Sequence, residues 1–355
     1  MSLVESSSCP GVSLDAYRES AAEGHRRYAA ALDRASALAA FDRVAGCTVF
    51  VIGCSGMLGT AVGEILARVV ERLGPQAPRV IGLARHRRSW PQRLDWVAGD
   101  VTDPATLKQI ARSDYCLHVA GPTGDYLDRP GEALHANTTG LVHALEAGCG
   151  SRGFVYVSSA RVYGRQLAER ASEETQAVVD AMSLDNIYDS AKRWAEAYCL
   201  WAHQRRGWPA TVARCSNVYG PHPSAGHALA GFVRELWAAH RVAVRGAARS
   251  ERSYCAAPDA AMGLLLAMVA GRRGIAYNIG SDERWTTRAL AQHLASLAPF
   301  PVEVAIEGGR DGTRILIDPG RATRELECVP VLTLGCLGAA VLEWDRPAAV
   351  ERGTA

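Results

Sequence analysis

Lysine is almost missing from this chain. Lys108 and Lys192 are the only two in 355 residues, so arginine supplies the other 37 of 39 basic side chains. Against 37 acidic residues the formal charge is +2, and no basic block alternates with aromatics. That speaks against a nucleic-acid partner. No apolar run approaches the roughly 20 residues that cross a bilayer. The opening MSLVESSSCPGVSLDAYRE has no apolar stretch of the kind a signal peptide carries. The ten cysteines contain no CxxC pair, and most lie in apolar runs such as DYCLHVA and AYCLWA. Buried, reduced thiols are expected ahead of zinc or disulfides, and with them a cytoplasmic protein with no membrane partner and no metal.

What is present is a globular composition: 48% hydrophobic and 21% charged residues, enough for one large domain or two. Residues 13–44 read as one or two helices, with Ser13 as cap and Leu14, Tyr17, Ala21, Tyr28 and Leu32 near helical spacing. From residue 47 strands and helices alternate. Apolar runs at 47–53, 79–85, 94–100, 115–121, 153–159 and 209–215 each feed a turn, and 57–74 reads as a helix. That rhythm predicts an α/β fold, a doubly wound parallel Rossmann sheet. The expected organisation is an N-terminal helical extension (1–45), a dinucleotide-binding domain (46–220, with strands from 250–282), a smaller substrate-binding lobe (221–250 and 283–346) and a tail (347–355).

The first strand runs into Gly53-Cys54-Ser55-Gly56-Met57-Leu58-Gly59. Glycines three apart between strand and helix suit a tight turn, close approach of backbone to a pyrophosphate, and close helix–strand packing. Gly53, Ser55, Gly56, Met57, Leu58 and Gly59 are therefore candidates for a dinucleotide site at a helix N-terminus. A carboxylate at the end of the second strand would bind the ribose hydroxyls of NAD. The strand ends instead in Arg85-His86-Arg87-Arg88, which favours the 2′-phosphate of NADP over NAD, with Arg85 the leading contact. Asp100 and Val101 end the third strand near the adenine, and Val119 and Ala120 follow the fourth.

Downstream, Ser159 ends a strand, and Asn186-Ile187-Tyr188-Asp189-Ser190-Ala191-Lys192 opens a helix. Tyr188 and Lys192, four apart, share a helical face. An ammonium beside a phenol favours phenolate, so Tyr188 becomes a proton-transfer group for a hydroxyl, with Ser159 bonding the same oxygen. Lys192 is also suited to the nicotinamide ribose. In a chain that otherwise uses arginine, a lysine at this place is informative, since a guanidinium is not the same compact charge. A protein that only bound dinucleotide would not need this constellation.

Together these residues resemble the extended short-chain dehydrogenase/reductase superfamily, in its NAD(P)-dependent nucleotide-sugar epimerase/dehydratase family, from about residue 46 to about 346. Further landmarks are His118-Val119-Ala120-Gly121, Asn137, Asn217-Val218-Tyr219-Gly220-Pro221, Arg252-Ser253-Tyr254 with Asp259, and Tyr277-Asn278-Ile279-Gly280-Ser281. The resemblance implies a Rossmann sheet with a C-terminal substrate lobe, a nucleotide-sugar substrate and a homodimer formed through two helices per subunit. It implies that Asn217 touches the substrate pyrophosphate and Arg252 a phosphate or ribose. Dehydratases of the family place Asp-Glu directly after the catalytic Ser/Thr, where this chain has Ala160 and Arg161. An epimerase acting through a 4-keto sugar, or an NADPH-dependent ketosugar reductase, is expected ahead of elimination or decarboxylation. Arg161 either pairs with a substrate carboxylate or points to solvent. His222 and His227, five apart in a loop, suit a loop or capping role better than metal binding. His118 reads as structural, and Trp194, Trp201 and Trp208 as core or dimer packing.

Overall fold

The computed structural model describes residues 5–108, 112–121, 127–165, 168–176, 179–180, 182–221, 228–309 and 312–347. The N-terminal segment forms β1 (Glu5–Cys9), α1 (Leu14–Ser36) and a 3-10 turn at Ala39–Val44. Ser13 caps α1 by accepting from the Ala16 amide at 3.2 Å. Then come β2 (Thr48–Ile52), α2 (Met57–Leu73), β3 (Arg79–Ala84), β4 (Asp95–Ala98), α3 (Pro104–Lys108) and β5 (Tyr115–His118). They are followed by α4 (Pro130–Asn137), α5 (Thr139–Glu146), β6 (Gly153–Ser159), α6 (Ile187–Arg206) and β7 (Ala210–Cys215).

These strands, with β11 (Ala276–Ile279), form a seven-stranded parallel sheet in the order β11-β7-β6-β5-β2-β3-β4. Strand order reverses between β2 and β5, and the crevice at such a switch point is where ligands bind in doubly wound sheets. Buried runs such as Val49–Ile52 and Phe154–Val157 explain why neither face is solvated: both are covered by helices. On one face α2 and α8 (Ala257–Ala270) pack around Val51, Val62 and Leu265; on the other, α5 and α6 close over Phe50, Phe154 and Cys199. Helix α8 is apolar all round and buried along nearly its whole length.

The remaining elements are β8 (Asn217–Tyr219), α7 (Ala228–Ala239), β9 (Arg241–Val244), β10 (Glu251–Ala256), β12 (Arg284–Thr286), α9 (Thr287–Ser296), β13 (Val302–Ile306) and β14 (Arg314–Ile315). Around β10 gather β8 and β14, parallel, and β12, antiparallel. A second small sheet, β1-β13-β9, carries α7 and α9 on one side, with Val233, Leu236, Val304 and Leu294 in its core. Three short helices end the described residues: α10 (Gly320–Leu326), α11 (Leu334–Leu337) and α12 (Ala340–Glu343). Helix α10 packs on α8 and β11, and α11 and α12 pack on α1. The C-terminal part of 283–346 is thus shared between the lobe and the sheet body.

The N-terminal extension differs from expectation in one way. Helix α1 is present, but Glu5–Cys9 forms an edge strand, antiparallel to β13. The run ESSSC has no apolar alternation because the strand is joined mainly through backbone and stays largely exposed. Helix α1 also lies on α2, where Arg68 meets Asp33 at 2.7 Å, and Arg72 of α2 meets Asp42 of the 3-10 turn at 2.6 Å. The segment therefore ties the Rossmann sheet to the lobe.

Candidate active site

Two cavities open along the C-terminal ends of the parallel strands. The first, about 410 Å³, is lined by the Gly53–Gly56 turn, Arg85, Asp100, Val101, Val119 and Ala120. Its floor is backbone. Gly53 has φ +91°, and a Cβ there would lie 2.6 Å from the Ala120 nitrogen. Gly59 presses α2 onto the strand end, where a Cβ would meet the Gly53 carbonyl oxygen at 2.3 Å. At Gly56 a Cβ would find nothing nearer than 3.7 Å, which leaves room for a ligand to come close to the backbone. Gly56 is also the N-cap of α2, whose first residues are Met57 and Leu58. A glycine cradle at a helix N-terminus fits a dinucleotide pyrophosphate.

At the rim, Asp100 accepts from the Thr102 amide at 2.9 Å and the Thr102 hydroxyl at 2.7 Å. Arg85 is exposed and lies 3.4 Å from Glu132 of α4, across the cleft. Arg87 sits over the Trp96 ring, 6.0 Å from its centre.

The second cavity, about 340 Å³, shares Val119 and Gly121 with the first. Its walls bring together Ser159, Arg161, Tyr188, Lys192, Asn217 and Arg252, which come from β6, the turn after it, α6, β8 and β10. Ser159 caps the 3-10 turn Ala160–Tyr163, accepting from the Arg161 amide at 3.3 Å, and its side chain bonds to the Tyr188 phenol. Tyr188 is buried, and Lys192, one turn on, donates to the Val157 carbonyl at 2.7 Å. Asn217 bonds to the side chain of Tyr254, its register partner on β10. Arg252 is held by Thr313, donating to its carbonyl at 2.6 Å.

The electrostatics depart from the simple Tyr–Lys picture. Burial raises Tyr188 well above a free phenol; Arg161 opposes this most, followed by the Ser159 hydrogen bond. Burial pushes Lys192 down to about 7. Arg161 neither points to solvent nor stands free for a carboxylate. Its Nε is 2.6 Å from Oδ1 of Asp189, and the guanidinium lies 5.2 Å from the Tyr188 ring centre. Arg165 reaches the other oxygen of the same carboxylate at 3.7 Å. Asp189 and Arg165 were not singled out from the sequence; the available signal was an acid next to the tyrosine at a helix start, facing two arginines four apart.

A family model described as the NAD dependent epimerase/dehydratase family matches residues 49–280. The chain belongs to that family. Its members are NAD-dependent epimerase/dehydratase enzymes. Among curated relatives, a dTDP-glucose 4,6-dehydratase of Streptomyces antibioticus is 27% identical over 318 residues, 84% of this chain and 92% of that protein. A dTDP-D-glucose 4,6-dehydratase of mouse is 29% identical over 215 residues, 58% of this chain, so the match spans about three fifths (59%) of that enzyme's length. A UDP-glucuronic acid decarboxylase of Arabidopsis thaliana is 26% identical over 60% of this chain and 62% of its own. Among solved structures, an epimerase of Methanothermobacter thermautotrophicus superposes with a TM-score of 0.75 at 25% identity, over 86% of this chain and 94% of that one. A Pseudomonas aeruginosa protein, RMD, complexed with NADPH gives 0.68 at 25% identity, over 84% and 99%.

Other epimerase/dehydratase landmarks have structural explanations here. Asn137 is buried and accepts from the Tyr156 hydroxyl at 2.9 Å. Asp259 accepts from the amides of Val331 and Leu332 at 2.9 and 2.8 Å, which ties the C-terminal segment to α8. The Tyr163 hydroxyl donates to Asn278 at 2.7 Å and receives Arg214 at 2.9 Å, and Arg214 forks onto Glu196. His118 is fully buried, and burial pushes it down to about 3, so it is neutral. His222 and His227 lie outside the described residues. Among the described residues no group of three His, Cys, Asp or Glu could hold a metal. No helix among them is long and apolar enough to cross a membrane.

Proposed function

We propose that this enzyme is a nucleotide-sugar epimerase that works through a transient 4-keto intermediate. One observation carries the reading. Ser159, Tyr188 and Lys192 line a single cavity joined to the glycine cradle, while the turn after Ser159 presents Ala160 and an Arg161 already paired to Asp189. That turn offers no carboxylic acid to expel a hydroxyl, which elimination needs.

The cradle Gly53–Gly59, with Val119, Ala120, Asp100 and Val101, would hold the dinucleotide, which supplies a reversible hydride acceptor when bound. Tyr188, as phenolate, takes the proton of the sugar hydroxyl. Ser159 donates to the same oxygen and steadies it as a carbonyl forms. Lys192, whose ammonium donates to the Val157 carbonyl, would hold the nicotinamide ribose. Asn217 and Arg252 would take the substrate pyrophosphate, and Arg252 is pre-set for this by its bond to Thr313. Tyr188 then returns the proton after the ketosugar has presented its other face.

A second reading, an NADPH-dependent ketosugar reductase, is favoured by one feature. The end of β3 offers Arg85, Arg87 and Arg88 and no acid. The same feature is why NADP is preferred here to NAD. A homodimer is supported by the outer face of α6. Trp194 and Trp201 are 46% and 40% exposed, and Tyr198 stacks on Trp194 at 5.3 Å. Leu134 of α4 is exposed beside them, an apolar stretch suited to pairing two helices per subunit. Trp208 is instead half-buried on the sheet side, so the three tryptophans do not form one stripe. Light scattering on Trp194→Glu tests the pairing, with a monomer expected.

The deciding experiment is to purify the protein, identify the cofactor it releases by mass, and incubate it with UDP-, dTDP-, GDP- and CDP-sugars. An isomer formed without added cofactor supports the epimerase. Stoichiometric NADPH consumption supports the reductase, and loss of water overturns both.

A further inference from the structure

Two cations lie against the phenol of Tyr188, and they differ in kind. The Lys192 ammonium is 5.6 Å from the ring centre, bonded to the Val157 carbonyl. Buried as it is, with a value near 7, it carries its charge in only part of the molecules at neutral pH. The Arg161 guanidinium, 5.2 Å from the same ring, does not deprotonate. Its place is set by Asp189, a carboxylate with no exposed surface, 2.6 Å from the Arg161 Nε. Because Asp189 directly follows Tyr188, the helix that carries the phenol also carries the anchor for its cation. Arg165, at 3.7 Å from the second oxygen, shares that anchor.

We propose that Arg161, anchored by Asp189, is a positioning residue that supplies the permanent positive charge favouring the phenolate of Tyr188. This rests on the reading of Tyr188 as the proton-transfer group and deepens it. The other groups around the phenol do not replace that charge. From β6, Ser159 gives one hydrogen bond, and Tyr156 is buried and neutral. From β7, the Cys215 thiol is pushed up to about 12 by burial; from β5, His118 is neutral. From α6 itself, Asp189 opposes the phenolate, less strongly than Arg161 favours it. The other guanidiniums lining the cavity are Arg165, on the second oxygen of Asp189, and Arg252 of β10, held at Thr313. The arginine thus does at this site what the sequence pattern assigns to the lysine alone, and it does so at every pH at which the protein is folded.

The test compares wild type with Arg161→Met, Arg161→Lys, Asp189→Asn and Tyr188→Phe, each as purified holoenzyme. Hydride transfer is followed by nicotinamide absorbance from about pH 6 to pH 10 with UDP-glucose and dTDP-glucose as probes. A base must lose its proton to act, so across this range, which lies below the titration of Tyr188, the rate rises with pH. Loss of a favouring cation moves that rise to higher pH. Arg161→Met is expected to move it by about one unit, which is about tenfold in rate on the rising limb. KM should change less than about threefold. Arg161→Lys restores the position of the limb, and Asp189→Asn falls between. The same shift is read without any substrate in the ultraviolet phenolate absorbance of the holoenzyme, taken as the difference from Tyr188→Phe. An Arg161→Met limb that superimposes on wild type overturns the proposal. So does a raised KM with an unmoved limb, which would make Arg161 a substrate ligand. An active Tyr188→Phe would overturn the underlying reading itself, and the two failures are distinguishable. Should Asp189→Asn not fold, the Met and Lys variants at 161 decide the matter.

Discussion

The two joined cavities are built from different materials. The dinucleotide end is backbone: Gly53 at positive φ, Gly59 against the Gly53 carbonyl, and the start of α2. The cradle itself comes from one stretch of seven residues, Gly53–Gly59. The proposed substrate end is side chains and charge: Ser159, Arg161, Tyr188, Asp189, Lys192 and Arg252, drawn from three separate regions of the chain. A site made of backbone tolerates few residue types and leaves a local signature. A site made of charge pairs can be rebuilt with different partners, and this is where the chain departs from the dehydratase pattern. Substitutions at the two ends should therefore fail in different ways.

The largest effect is expected at the substrate end. Tyr188→Phe removes the proposed proton-transfer group without removing bulk, and turnover should fall by roughly 10²–10⁴-fold. Cofactor affinity, measured by fluorescence titration, should stay near wild type. Gly59→Val is the counterpart at the other end. Its Cβ would overlap the Gly53 carbonyl, so cofactor affinity and thermal stability should fall together, with a stability loss of about 1–3 kcal/mol. If Gly59→Val spares cofactor binding, the contrast between backbone and side-chain sites fails.

Lys192 offers a subtler test. Its value is depressed from 10.5 to about 7 in the folded protein, so between those limits the unfolded chain binds more protons. Stability from this group therefore rises as pH climbs from about 7 towards 10. Lys192→Met should flatten that rise in chemical-denaturation curves, and an unchanged slope would show that the ammonium is not desolvated. The smallest effect is expected at Arg85, an exposed group facing Glu132. Arg85→Ser should weaken NADPH binding by less than about tenfold and leave NADH binding unchanged, as befits a screened surface charge.

How far the sequence could be read follows the same division. The parallel strands were legible because each is a short apolar run between turns, and Gly153–Ser159 matches its predicted bounds. The glycine turn, Tyr188 and Lys192 were legible because fixed spacing is what their geometry demands. Glu5–Cys9 was not, since an exposed edge strand needs no apolar pattern. The Asp189–Arg161 pair was also hidden. Its partners are 28 positions apart, and their meeting depends on how the turn after β6 packs on the start of α6. The spacing in sequence points to the lysine on the helix of Tyr188, whereas the Arg161 guanidinium, 5.2 Å from the same ring, comes from a distant turn.

The claim that hydride leaves and returns to the same sugar carbon is tested most directly with nucleotide-glucose carrying deuterium at C4. After incubation with holoenzyme and no added cofactor, the account predicts an isomer of unchanged mass with deuterium still on C4. A product lighter by one water, with deuterium moved to C6, would contradict it.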